Sequence, residues 1–189
     1  MPSTTMSAEE HDQLRRTAAT FRPIARAASS SHKNGVGVLA CGVLSVVLSL
    51  PDFGLPGLAI GTLLVATGVL QVRVSRRLAR ADPSAPKALA KNELVRMAGL
   101  LAFCVLQLTV LRGSRGADLA KQLEGTDTLG VDVAALTDSL NTLIYSTCIA
   151  VTLIYQGGMA RYFLRRRAMI AAYLQCPEWA RRVVEDLAK

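Results

Sequence analysis

The sequence predicts an all-α membrane protein, a four-helix transmembrane bundle with amphipathic cytoplasmic helices at both ends. Three observations lead there. Gly35 to Leu50 and Gly54 to Val72 are free of charge, with only Pro51, Asp52 and Phe53 between them, so the two runs form a helical hairpin closed by a tight reversal. Two further apolar runs follow, and arginines and lysines gather beside the runs rather than within them. The chain of 189 residues is 51% hydrophobic and 19% charged, with a mean hydropathy of +0.32, a mixture that suits spans with polar ends. One domain architecture accounts for this length.

Residues 1 to 33 are polar, and the apolar run that follows begins too late for an ordinary cleaved signal peptide, so the first span is expected to stay attached. Ser7-Ala8-Glu9-Glu10 matches a capping box, in which a serine hydroxyl and a glutamate carboxylate satisfy backbone donors at a helix start. Leu14, Ala18, Phe21, Ala25 and Ala28 recur at helical spacing among Arg15, Arg16, Arg22 and Arg26, which predicts an amphipathic segment that Pro23 kinks or splits. It lies on the membrane surface or packs on the protein's own cytoplasmic side.

The spans fall at about 35–50, 55–72, 95–111 and 143–160 within a membrane domain of 34–164. The first is slightly short for the roughly 20 residues that cross a ~30 Å hydrocarbon core, and Lys33 extends it by snorkelling. Gly37, Cys41, Ser45 and Ser49 repeat at every fourth position, and span two supplies Gly57 and Gly61 with Gly68 two turns on. Small residues of this kind let helices approach closely in lipid, so these faces are expected to meet within the hairpin. Pro56 suits the first turn of span two.

Asp82-Pro83-Ser84-Ala85-Pro86 breaks the second helix, and a third starts near Pro86 with Lys87, Lys91 and Arg96 at the interface before the apolar run Met97 to Leu111. The outer loop, 112–141, holds a short helix at 117–123. Val133, Leu136, Leu140 and Leu143 predict a helix that runs from outside straight into span four and continues to Leu174, with only Gly157-Gly158 threatening it. Cys176-Pro177 ends that helix and opens a last short one within a cytoplasmic tail, 165–189. Of the 22 Lys and Arg residues, 19 lie in the N-terminal segment, the 73–96 connection and the stretch from Arg161 to Lys189, which places both termini in the cytoplasm of a cell whose inner membrane holds the spans.

The net charge of +8 sits beside apolar runs and among few aromatics, so lipid phosphates rather than nucleic acid are its expected partners. Arg73, Arg76, Arg77 and Arg80, and Arg161, Arg165 and Arg166, are the candidate contacts to anionic lipid head groups; their plainer role is to set topology. Trp179, Val183 and Leu187 make a small apolar stripe that packs internally or docks a partner. Cys41, Cys104, Cys148 and Cys176 are scattered without a CxxC pair, and His11 and His32 lie in the polar N-terminal segment, so neither a disulfide framework nor a metal or other cofactor is expected. No GxSxG, HExxH, P-loop or GxGxxG stands in the required context, and Ser29-Ser30-Ser31-His32 lacks an acid partner for a triad, so no catalytic residue is assigned.

The spans as bounded carry no charge at mid-depth, which argues against a coupled transporter. Gln107, Thr109, Ser146, Thr147, Thr152 and Gln156 remain, and each can instead bond to a neighbouring helix for about 0.6 to 2 kcal/mol. The expected function is a non-enzymatic scaffold or accessory subunit that forms a homo-oligomer or joins a membrane-protein partner. The alternative is a small oligomeric channel or carrier lined by Gln107, Thr109, Thr152 and Gln156. Asp82-Pro83-x-Ala85-Pro86-x-x-Leu89-x-x-Asn92-x-Leu94, with Tyr162-Phe163-x-Arg165-Arg166 and Tyr173-Leu174-x-x-Pro177-x-Trp179, resembles uncharacterised bacterial four-span membrane proteins over the C-terminal two thirds of the chain. The resemblance implies the same architecture and carries no activity with it.

Overall fold

A computed structural model describes residues 6–50, 55–109 and 133–187. They form α1 (Ala8–Ser49), α2 (Leu55–Ala79), α3 (Ala85–Thr109), α4 (Val133–Leu174) and α5 (Glu178–Leu187). The hairpin tip at 51–54 and the short helix expected at 117–123 lie outside the described residues. α1 pairs along its length with α2, α2 packs on α3 and α3 on α4, while α1 makes narrower contacts with α4 and α5.

α1 starts where the capping box predicts. Glu10 N–H donates to Ser7 Oγ at 3.2 Å, and Ser7 N–H donates to Glu10 Oε2 at 2.7 Å. Pro23 does not split the helix, which runs unbroken for 42 residues. Phe21, Ile24, Ala27 and Ala28, all buried on both sides of the proline, hold this stretch against the core and offset the lost backbone hydrogen bond. The N-terminal segment therefore gives its apolar face to the protein's own interior.

α1, α2 and the Ala135–Leu174 stretch of α4 are long and apolar enough to cross a membrane. Only 17%, 22% and 11% of their most apolar windows are buried within the chain, so their outward side chains, among them Leu44, Leu48, Leu70 and Ile154, need lipid to cover them. α3 is not among these three. Lys87, Lys91, Glu93 and Arg96 occupy its first half, and the charge-free remainder, 97–109, rises only about 20 Å at 1.5 Å per residue.

The α1/α2 hairpin closes on small residues, with Ser45, Gly57, Gly61 and Gly68 in the contact as expected and Gly35 and Gly42 in place of Gly37 and Cys41 on α1. A Cβ on Gly42 would lie 2.6 Å from the Val65 nitrogen, one on Gly61 2.9 Å from the Val46 nitrogen, and one on Gly68 2.8 Å from the Leu39 nitrogen. Ser45 Oγ donates to the Gly57 carbonyl at 3.3 Å. Gly37 and Cys41 are exposed, and a Cβ on Gly37 would meet nothing within 4 Å. A four-residue step advances about 400° around a helix, so a stripe at every fourth position drifts off the contact face, and the seven-residue step from Gly35 to Gly42 stays on it.

Below the apolar runs, all five helices join in one core of Phe21, Ile24, Val74, Leu78, Leu89, Phe163, Ile170, Tyr173 and Val184. The Phe21 and Tyr173 ring centroids are 5.2 Å apart. Tyr173 Oη donates to Glu185 Oε1 at 3.0 Å, tying α4 to α5, and burial together with that bond raises its pKa above the usual phenol range. α4 passes through Gly157-Gly158 unbroken, ends at Leu174, and gives way to α5 after Pro177. α5 buries Ala180 and Val184, leaving Trp179 and Val183 on its outer side.

The α2–α3 turn is closed by Ala81 at φ 52°, whose N–H donates to Leu78 O at 2.9 Å, while Asp82 N–H donates to Arg77 O at 3.2 Å. Asp82 Oδ1 accepts from Ser84 Oγ at 2.7 Å and Ser84 N–H at 2.8 Å, and its Oδ2 accepts from Arg77 Nε at 2.9 Å. The Ser84 bonds first, then Arg77, hold the Asp82 carboxyl below the usual carboxylate range.

Two outcomes follow. In mild detergent Gly42→Val should lower stability by roughly 1–3 kcal/mol, because backbone rather than a side chain blocks the added atoms, whereas Gly37→Ala should be neutral or slightly stabilising; thermal unfolding measures both. A carboxylate with a lowered folded pKa stabilises above its unfolded value and loses that contribution as pH falls through the folded one. Asp82→Asn should therefore flatten the acid limb of stability as pH falls below about 5 and on through the folded value, with an effect below ~1 kcal/mol at this part-exposed site.

Candidate functional site: a buried polar ring between α2 and α3

Thr67, Gln71 and Ser75 stand four residues apart on α2, a polar stripe along an otherwise apolar helix. The i+4 spacing puts them on one side, and all three are buried. α3 faces the first two with Asn92, Glu93 and Arg96, also buried, which the short turn before Ala85 brings level with them.

The contacts close a ring. Arg96 donates from one guanidinium nitrogen to Gln71 Oε1 at 2.7 Å and from the other to Glu93 Oε2, while Gln71 Nε2 donates to Glu93 Oε1 at 3.1 Å. The Arg96 and Glu93 side chains are 2% and 0% exposed. Asn92 Nδ2 donates to the Thr67 carbonyl at 3.0 Å one turn away, and its Oδ1 is buried without a partner. α1 seals the other side, since a Cβ on Gly35 would touch Gln71 Cβ at 3.2 Å. Arg96 thus does not anchor α3 at the interface as expected. Glu93, three residues before it, supplies a counter-charge on the same face, and an ion pair with an amide bridge can be buried where a lone guanidinium would reach for water.

Charges balance in the ring, and each charged group bonds to the other two members. This arrangement fixes two helices relative to each other and presents no free nucleophile or base. Among the described residues no group of three His, Cys, Asp or Glu is placed to hold a metal. The sequence signal for the ring was Gln71 inside a charge-free run together with the Glu93-x-x-Arg96 spacing.

The expected head-group residues take separate places. Arg73, Arg76 and Arg80 are exposed on α2, and Arg77 is committed to Asp82 and Ser84. Arg161 and Arg165 are exposed on α4, and Arg166 is half-buried with its guanidinium 4.5 Å from the Tyr162 ring centroid. α2 and α4 are not packed side by side, so the two clusters remain apart. In the apolar stripe, Trp179, Val183 and Leu187 are exposed, Leu187 by 80%, and the internal packing falls one residue along at Ala180 and Val184. Of the proposed channel lining, Gln107 and Gln156 are buried, whereas Thr109 is exposed and donates to its own helix at Val105 O.

Apolar helices of spanning length around a satisfied polar ring define a helical integral membrane protein. No family model, curated protein or solved structure matches the chain.

Removing one partner of the ring leaves a charge buried alone. Glu93→Ala or Arg96→Ala should each destabilise by roughly 3–5 kcal/mol, while Glu93→Leu with Arg96→Met should lose much less than the sum of the two. Unfolding of the three variants in mild detergent measures the coupling.

Proposed function

We propose that this chain is a four-span protein of the bacterial cytoplasmic membrane, with both termini inside, and that it acts as a non-enzymatic scaffold or accessory subunit. The observation that carries this reading is the core outside the apolar runs. All five helices contribute to it, so lipid-facing segments continue into a packed head of Phe21, Leu78, Leu89, Phe163, Tyr173 and Val184. A head of this kind offers a fixed surface, and the outer face of α5, with Trp179, Val183 and Leu187 exposed, is the part suited to a partner. The 19 to 3 division of basic residues supports the orientation, with α3 as the fourth span. The motifs that resemble bacterial four-span proteins contribute Ala85, Leu89, Phe163 and Tyr173 to the same core, which is consistent with that reading.

The channel or carrier reading draws on Gln156, whose Oε1 is buried without a partner on α4. Solute or ion flux in reconstituted vesicles above empty controls would favour it over the scaffold.

Extraction in a mild detergent should recover the chain with a stoichiometric partner or as a homo-oligomer, measured by light scattering on a sizing column. Trp179→Ala with Leu187→Ser should release that association while changing the unfolding temperature little, because both side chains are exposed. A strictly monomeric, partner-free protein would overturn the reading.

A further inference from the structure

Beside the polar ring, on the α1 side of α2, lies a cleft of about 410 Å³ lined by Ser29, His32, Lys33, Ser75 and Arg76 over a floor of Phe21, Ala25, Ala28 and Ala79. Its position is set by the sequence. His32 and Lys33 come just before the apolar run of α1, and Ser75 and Arg76 just after that of α2, so the antiparallel pair brings all four to the plane where the hydrocarbon ends.

The lining is cationic and one-sided. Lys33 and Arg76 have no ion-pair partner among the described residues, and no carboxylate lines the cleft. Ser75 Oγ donates its hydrogen to Val72 O at 2.8 Å, so toward His32 Nδ1, 3.3 Å away, it can only accept. Nδ1 therefore carries the proton, and the imidazole is held by α2. Two cations, a fixed imidazole and the Ser29 hydroxyl surround one space at the depth of lipid phosphates.

The geometry points to this cleft as a binding site for an anionic phospholipid whose head group is an uncharged alcohol. The phosphate sits between Lys33 and Arg76. The alcohol extends away from the hydrocarbon toward Ser29 and the Ala25–Ala28 floor. A zwitterionic head group brings an ammonium into a cleft with two cations and no carboxylate, which selects against it. The site needs only the membrane placement of α1 and α2. It stands or falls separately from the scaffold reading, whose test is association state.

Native mass spectrometry of the full chain in dodecyl maltoside, supplied with phosphatidylglycerol or phosphatidylcholine, tests the site. The protein should retain phosphatidylglycerol in preference, and Lys33→Gln with Arg76→Gln should weaken retention roughly 30-fold, taking about 1 kcal/mol for each cation near the lipid surface. Ser29→Trp, which fills the cleft and keeps every charge, should lose retention too, so the test survives a double variant that folds poorly. Arg15→Gln with Arg167→Gln removes the same charge from exposed positions off the cleft and should leave retention unchanged. Equal retention of both lipids, or equal loss in the Arg15/Arg167 control, would overturn the proposal. Displacement by soluble glycerol 3-phosphate at matching concentration would overturn the lipid as occupant in favour of a free phosphate compound.

Discussion

The ring of Gln71, Glu93 and Arg96 sets the terms for the rest of the structure. A guanidinium and a carboxylate inside a helical membrane protein are tolerable only when each finds the other and the remaining hydrogen-bond capacity is met. That requirement admits one register of α3 against α2. A slide of a single residue would point Glu93 or Arg96 away from Gln71 into apolar surroundings. The ring thereby specifies geometry more than it adds stability, and α1 depends on it in turn, because Gly35 rests against the Gln71 side chain.

On either side of the ring, packing follows two different rules. Toward the hairpin tip, α1 and α2 touch through Gly42, Gly61 and Gly68, where backbones approach closely and dispersion is the main attraction, since lipid is as apolar as leucine. Toward the opposite end, the large side chains Phe21, Ile24, Phe163, Ile170 and Tyr173 interlock as they would in a water-soluble bundle. One chain thus uses small residues along its apolar runs and large ones beyond them, and the polar ring lies at the change.

Much of the fold was legible in the sequence because local chemistry dictated it. The capping box at Ser7, the break at Asp82 to Pro86, the passage of α4 to Leu174 and the new helix after Pro177 are each decided by a few neighbouring residues. What was not legible depended on contacts between distant segments. Pro23 stays within a helix because tertiary packing outweighs a local preference. Part of the α1 small-residue face and the α5 stripe fell beside the true one, since Gly37 and Trp179 share a helix with the packed residues and differ only in rotation. Arg96 read as an anchor because neither Glu93, just outside the span, nor Gln71, inside a charge-free run, was weighed as its partner.

The unbroken α1 joins both halves mechanically. Its 42 residues make a rod of roughly 63 Å at 1.5 Å per residue, with its tip-side half sheathed in lipid and its other half embedded in the head. Gly35, against the Gln71 side chain, marks where the rod passes from one kind of packing to the other. Because the helix is unbroken between them, the hairpin and the head share one axis.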